Sequence, residues 1–364
     1  MKRLQLLDYV RHFAALMVVF FHYTFNGISN GKIYSIDFIP SLAGITKYGY
    51  LGVDLFFMIS GYVIFYSAKN RSAAKFAVSR VIRLYPAYWL AVIFTSAFTC
   101  FFGGSVLSID LKTVLVNLTM LQSLFGVENV DGVYWTLIFE LKFYLFIFIL
   151  LFFGLQKHLS NIIVAWGVII IISYFLSLED RLFMGGYYGF FVSGSLFAIL
   201  RERFTFLRFS ILSGLYVITT IYMVNRADLL EQATGTNNSP FIIAVVIAVF
   251  YLFFFLQNTK YTESMKLKGS KLAGALTYPI YLIHAHFGYM MLNKLANNQN
   301  KIYVYIAIIF SVYVIALLIH LFVERKLAFL WGALFSIIIE KPVTKVQIYF
   351  DKIKFLFFTS HEKA

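Results

Sequence analysis

Two ionisable residues, Arg11 and His22, lie in one strongly apolar segment near the start of the chain. On an α-helix this spacing is about three turns, so both side chains share one face, about 16 Å apart. A histidine is suited to remove a proton from a hydroxyl near neutral pH. Ionisable groups inside a membrane helix usually mark an active site or a pathway. The pair therefore predicts chemistry performed within a bilayer.

Two carboxylates are expected to lie near His22. Asp54 and Glu140 fall, like His22, in the outer halves of their predicted helices, so we expect all three to reach one cavity. A neighbouring carboxylate orients a histidine and stabilises its charged form. Either acid is a candidate for that partner, and a purely structural polar network is the alternative.

A pair of arginines marks the opposite, cytoplasmic end of the bundle. Arg80 and Arg83 are i,i+3 neighbours, and their rigid guanidinium groups suit phosphate oxygens. Coenzyme A is an anionic cytosolic carrier of thioesters, and arginines at a cytosolic opening would hold its phosphates. The simpler interpretation is that both are basic residues flanking a membrane helix.

Long apolar runs carry these residues. The chain has 364 residues, of which 60% are hydrophobic and 13% charged, whereas soluble domains are about 45–50% apolar and 25% charged. A transmembrane barrel would show short alternating segments instead. We predict an all-α polytopic membrane protein with about ten transmembrane helices. The predicted spans are 7–26, 46–68, 84–102, 133–154, 161–177, 183–200, 208–225, 240–257, 274–293 and 302–323.

The net charge of +14 is distributed as a topology signal. With both termini cytoplasmic, and with Lys47 and Arg208 at the beginnings of their spans counted with the adjoining connections, 22 of the 31 Lys and Arg residues fall in cytoplasmic segments and seven in outer connections. This bias follows the positive-inside rule, so no nucleic-acid partner is needed to explain the charge. We expect one membrane domain over 1–330 and a basic amphipathic cytoplasmic tail over 331–364, with an eleventh span as the alternative for the tail. Cys100 is the only cysteine, which excludes an intramolecular disulfide, and its apolar setting predicts a buried thiol.

Six sequence blocks resemble the membrane acyltransferase-3 family, bacterial multi-spanning enzymes that O-acylate envelope polysaccharides. The first contains Arg11 and His22 in Leu-Asp-x-x-Arg-x-x-Ala-Ala-Leu-x-Val-x-x-x-His, and the others follow in the family's order. The six blocks are Leu7–His22, Gly52–Gly61, Arg80–Trp89, Trp135–Tyr144, Tyr278–His284 and Glu324.

The resemblance implies ten core helices, acyl-CoA as the donor and His22 as the catalytic histidine. It also implies Arg11 as the motif partner of His22 and places Arg80 and Arg83 at the donor site. Asp54 and Glu140 complete the expected catalytic set. Four further residues are expected to line the cavity: Ser60, Trp135, Tyr281 and His284. His286 lies off the pattern and is expected to pack in the core.

The predicted activity is transfer of an acyl group, acetyl by preference, from cytosolic acyl-CoA to a hydroxyl of an envelope glycan or glycolipid in the bacterial cytoplasmic membrane. His22 would act as general base, or alternatively form an acyl-histidine intermediate. No metal or resident cofactor is expected. A proton-coupled transporter of a small anion or glycan is the alternative function, although the sequence shows no inverted repeat or paired broken helices. A membrane scaffold without catalytic activity is a third possible function. The sequence does not indicate the oligomeric state.

Overall fold

The computed structural model describes residues 4–104 and 106–360, with side chains at 232–234, 263 and 353–360 excepted. Its described part is all-helical, with 80% of residues in helices and no strand. The α-helices, numbered in chain order, are α1 (Gln5–Phe21), α2 (Gly27–Ser29), α3 (Pro40–Thr46), α4 (Gly52–Lys69), α5 (Ala73–Phe102), α6 (Leu111–Asn117), α7 (Leu137–Phe152), α8 (Leu159–Phe175), α9 (Tyr188–Glu202), α10 (Phe206–Thr234), α11 (Pro240–Gln257), α12 (Lys260–Ser264), α13 (Ser270–Leu295), α14 (Lys301–Leu318), α15 (Ala328–Phe335) and α16 (Lys341–Ser360).

Seven helical segments are long and apolar enough to cross a membrane in the described part of the chain. The predicted spans 7–26, 183–200 and 274–293 are helical but are not among the seven. They correspond to α1, α9 and α13, of which α9 and α13 are almost entirely buried. With 15 residues, α9 is too short to count as a spanning helix, whereas α13 is surrounded by protein and needs no apolar surface facing lipid. The all-helical membrane fold is therefore confirmed, whereas the count of ten and the cytoplasmic termini stay predictions.

The centre of the bundle is built on a close pairing of α4 with α9. A Cβ added at Gly61 would overlap the backbone of Phe191, and one added at Gly194 would overlap the backbone of Met58. Phe57 and Phe191 stack beside this contact with ring centroids 4.6 Å apart. Small residues of this kind let membrane helices approach until their backbones touch.

One predicted span contains a distortion and another is part of a longer helix. Within the first span, 7–26, α1 is followed by a single π-helical turn at His22–Asn26, a distortion that is frequent at functional sites. The third predicted span, 84–102, is the C-terminal part of α5, which begins eleven residues earlier at a Ser72 cap. The basic stretch that contains Arg80 and Arg83 is therefore helical.

The tail packs on the bundle through aromatic residues. Trp331 and Phe335 of α15 lie against Trp89 of α5, each with ring centroids 6.0 Å away. Phe350 of α16 contacts Phe153, while residues 361–364 lie outside the described part. The prediction of a buried Cys100 is wrong: the thiol is exposed near the end of α5, because α5 turns that side away from the other helices.

Candidate active site

A cavity of about 520 Å³ opens among α1, α4, α5, α7 and α13. Arg11, Arg80, Arg83, Glu140 and Glu324 all line it, and we call it the arginine cavity. The structure thus brings together the three arginines that the sequence analysis singled out. Under the predicted orientation this cavity faces the cytoplasm.

Both paired arginines are held in place by neighbours. Ser79 Oγ accepts hydrogen bonds from Arg80 Nε and Nη2, each at 3.1 Å, and the Arg80 guanidinium lies over the Tyr144 ring. Arg83 lies over the Tyr278 ring and 3.9 Å from Glu324. Stacking on an aromatic ring leaves the N–H edge of a guanidinium free to meet a ligand. This arrangement suits an anionic group entering the cavity.

The expectation that Glu140 shares a cavity with His22 is wrong. Glu140 Oε1 accepts a hydrogen bond from Ser60 Oγ at 3.2 Å and another from the Tyr144 hydroxyl. These contacts turn the carboxylate into the arginine cavity, where it is close enough to Arg11 to interact electrostatically. The sequence predicts the depth of Glu140 along α7, but it does not predict the direction in which its side chain points around the helix.

A second cavity, of about 420 Å³, contains His22 and is called the histidine cavity. Asp54, Trp135 and two cations that the sequence analysis missed, Lys32 and Arg226, also line it. Lys32 lies in the connection after the first predicted span and Arg226 one residue beyond the end of another. Neither position carries a recognisable motif, so only the fold reveals that they meet.

The contacts of His22 fix which ring nitrogen carries its proton. His22 Nδ1 lies 2.8 Å from the Val18 carbonyl oxygen, which can only accept, and 3.2 Å from His284 Nε2. His284 Nδ1 in turn lies 2.8 Å from the Tyr281 carbonyl oxygen. Each Nδ1 therefore carries a proton, and His284 Nε2 accepts from His22. The other nitrogen of His22, Nε2, keeps its lone pair and has no hydrogen-bond partner among the described residues.

Neither expected carboxylate orients His22. The orienting groups are the Val18 carbonyl and the fully buried His284, which lies behind His22 and lines neither cavity. Asp54 has no exposed surface, and neither of its carboxylate oxygens has a partner in the described structure. The buried hydroxyl of Tyr50, on the same cavity wall, also lacks a partner. An unsatisfied buried carboxylate is costly, so these groups are suited to meet a ligand.

The two cavities meet at a shared wall. Val53 and Tyr281 line both of them, and the Tyr281 hydroxyl is held 2.7 Å from Thr136 Oγ1. Ser60 lies on the arginine side and Trp135 on the histidine side of this wall. The two cavities are therefore neighbours across Val53 and Tyr281.

A third space, the loop groove, continues the histidine cavity toward the predicted outer face. It is lined by the connection between α5 and α7 and measures about 700 Å³. His286, expected to pack in the core, lines both this groove and the histidine cavity. Its Nδ1 lies 3.0 Å from the Val130 carbonyl oxygen, and its backbone N–H donates to the buried Asp131 carboxylate. Asp131 is a further residue that the sequence analysis missed, because its loop carries no motif.

A family model for an acyltransferase domain, that of the acyltransferase-3 family, matches residues 4–321. The chain belongs to the acyltransferase-3 family. Searches of curated proteins and of solved structures returned no match. Together with its apolar helices, the match identifies a multi-pass membrane protein with an acyltransferase domain. The family resemblance is thereby confirmed, and five of the six sequence blocks lie within the match, while Glu324 lies just beyond it.

Proposed function

We propose that this acyltransferase moves an acyl group, acetyl by preference, from acyl-CoA to a hydroxyl of a cell-envelope glycan or glycolipid. One observation carries the proposal. An arginine-lined cavity and a histidine-lined cavity meet at Val53 and Tyr281. The first suits the phosphates of coenzyme A, and the second offers a base to an acceptor hydroxyl. Under the predicted orientation, the donor enters from the cytoplasm of a bacterial cell and the acceptor from outside.

The reaction follows from the free nitrogen of His22. The acceptor hydroxyl gives its proton to His22 Nε2 while its oxygen attacks the carbonyl carbon of the thioester. The new C–O ester bond forms as the C–S bond breaks, and the proton passes to the departing coenzyme A sulfur. His284 accepts the hydrogen bond from His22 Nδ1 and so keeps the basic nitrogen toward the cavity. An acyl-histidine intermediate would use the same nitrogen as nucleophile.

Asp54 has a different role from the one expected. Its unpartnered oxygens lie in the cavity that contains His22, so we assign it to hydrogen bonds with the acceptor. The Tyr50 hydroxyl is placed to contribute to the same contact. The free-energy cost of burying these oxygens without a partner is offset when hydroxyl groups of the acceptor donate hydrogen bonds to them.

The direct test is mass spectrometry of envelope glycans from cells that produce wild-type protein or His22→Ala at matched membrane levels. We expect an acyl mass increment with the wild type and its loss in the variant. Trp166 lies on α8 and lines neither cavity. Trp166→Phe is therefore the control for effects that any substitution in this membrane protein could have on glycan acylation. Glycan acylation at the wild-type level in His22→Ala would reject the proposal.

A further inference from the structure

The loop groove is a polar space that no step of the proposed reaction uses. Lys32, Gly132 and His286 line both the groove and the histidine cavity, so the two are continuous. We propose that the groove binds the portion of the acceptor beyond the hydroxyl that is acylated, and that this portion is an uncharged or cationic chain of sugars. This inference rests on the proposed function. It adds where the acceptor binds and which charge the acceptor carries.

The walls of the groove favour hydroxyl-rich ligands. Asp110 and Glu128 bring two carboxylates, and Ser108 and Asn129 bring further hydrogen-bonding side chains. Lys32, at the end shared with the histidine cavity, is the only Lys or Arg among the described residues that line the groove, so the carboxylates outnumber it. Hydrogen bonds from the Thr113 hydroxyl and backbone N–H hold the pKa of Asp110 below its usual range, so this group is charged. Carboxylates accept hydrogen bonds from sugar hydroxyls but repel phosphate and carboxylate groups.

A buried hydroxyl in the groove lacks a partner. Thr99 lines the groove, is only 6% exposed, and its Oγ1 makes no hydrogen bond within the described structure. A buried polar group left without a partner costs free energy. A ligand hydroxyl at this position would satisfy Thr99. This observation is independent of the two carboxylates and points to the same class of ligand.

The groove is also preformed. The buried side chain of Asn117 donates to the carbonyl oxygens of Thr113 and Glu128, at 2.9 and 2.8 Å, and accepts from the Val130 N–H at 3.0 Å. These bonds join α6 to residues 128–130, the segment before α7 that forms the opposite wall. A site held in its bound shape loses less entropy when it binds. The loop is therefore organised for a ligand before one arrives.

The test blocks the groove chemically in the full-length protein. Cys100→Ser removes the exposed native thiol, and Glu128→Cys or Gln299→Cys then introduces one reactive site. Gln299 is exposed on the α13–α14 connection and lines none of the cavities described, so it is the matched control. Each variant is treated with a bulky, membrane-impermeant polyethylene glycol maleimide or with the small methyl methanethiosulfonate. Transfer from radiolabelled acetyl-CoA to isolated envelope glycan is then measured.

We expect the bulky reagent at Glu128→Cys to lower glycan labelling at least tenfold. The same reagent at Gln299→Cys should leave it within about threefold. With the small reagent, Glu128→Cys keeps the groove open and lacks only the carboxylate, so this reagent should lower labelling by less than the bulky reagent does. Asn129→Cys on the same wall should behave like Glu128→Cys. It provides the test if Glu128→Cys does not fold. Equal transfer by the bulky adducts at Glu128→Cys and Gln299→Cys would overturn the inference.

A binding measurement separates this inference from the proposed function. The rate of maleimide reaction at Glu128→Cys is measured with and without the isolated glycan, in a His22→Ala background that needs no transfer. Slower reaction in the presence of neutral glycan supports the groove as a binding site, even if His22 proves dispensable. An unchanged rate at saturating neutral glycan contradicts the inference, even if His22 proves essential.

Discussion

The imidazole of His22 has one nitrogen bonded within the protein and one nitrogen available to a ligand. The Val18 carbonyl and His284 hold Nδ1, and this leaves the lone pair of Nε2 on the cavity side. A general base works only if its lone pair points at the proton that it removes. On the proposed function His284 is a positioning residue, and this role can be separated from simple packing.

We expect His284→Leu to lower kcat on the order of 10- to 100-fold, a share of what a positioned base contributes, with little change in the KM for acyl-CoA. His284→Gln should restore part of the rate, because its amide oxygen can accept the hydrogen bond from His22. Release of free coenzyme A in the presence of glycan measures both constants. Equal losses in the Leu and Gln variants would show that His284 only fills space.

The arginines of the arginine cavity give the second prediction at this scale. Removal of a hydrogen bond to a charged group costs about 1.5–3 kcal/mol, so Arg80→Ala should raise the KM for acyl-CoA roughly 10- to 100-fold. The KM for acyl-CoA of Arg80→Lys should lie between those of the wild type and Arg80→Ala, because lysine keeps the positive charge but lacks the planar guanidinium group.

Lys75→Ala is the control for Arg80, since Lys75 is exposed on α5 and lines neither cavity. Its KM for acyl-CoA should stay within twofold of the wild type. A KM unchanged in Arg80→Ala would remove Arg80 from the donor site.

At the scale of elements, the pairing of α4 with α9 positions both cavities. α4 carries Asp54 and Ser60 on its cavity side, while Gly61 touches the backbone of α9. Any side chain at Gly61 must push the two helices apart and so displace Asp54 from the histidine cavity. The contact therefore links helix packing to the geometry of the site.

We expect Gly61→Leu to destabilise the protein, because overpacking of a close contact typically costs about 1–3 kcal/mol. Gly332→Leu is the matched control, since a Cβ at Gly332 has nothing within 4 Å. Thermal unfolding in detergent should show a lower Tm for Gly61→Leu and an unchanged Tm for Gly332→Leu. A Tm for Gly61→Leu equal to that of the wild type would contradict the close contact.

The helices were predictable from sequence to different degrees. Lipid-facing helices such as α11, which matches its predicted span of 240–257, show long apolar runs that fix their ends. Buried helices such as α13 carry polar residues and have weaker signals. The direction of a side chain around its helix depends on neighbours far along the chain, which is why Glu140 was placed in the wrong cavity.

At the scale of the molecule, the six motif blocks predicted the family and contain most of the residues to which we assign the chemistry. They did not predict how these residues divide between two cavities. Lys32 and Asp131 come from connections and Arg226 from within α10, none of them in a motif, so their approach to His22 depends on the complete fold. The division of the site residues between two cavities is a property of the folded protein.

The central claim is that donor and acceptor reach His22 from opposite faces of the membrane. We would measure transfer from radiolabelled acetyl-CoA, which does not cross membranes, to glycan enclosed in inside-out and right-side-out vesicles from producing cells. The account predicts labelled glycan when acetyl-CoA is added outside inside-out vesicles, with none in right-side-out vesicles or with His22→Ala. Labelling in right-side-out vesicles, where acetyl-CoA meets only the face of the loop groove, would contradict it.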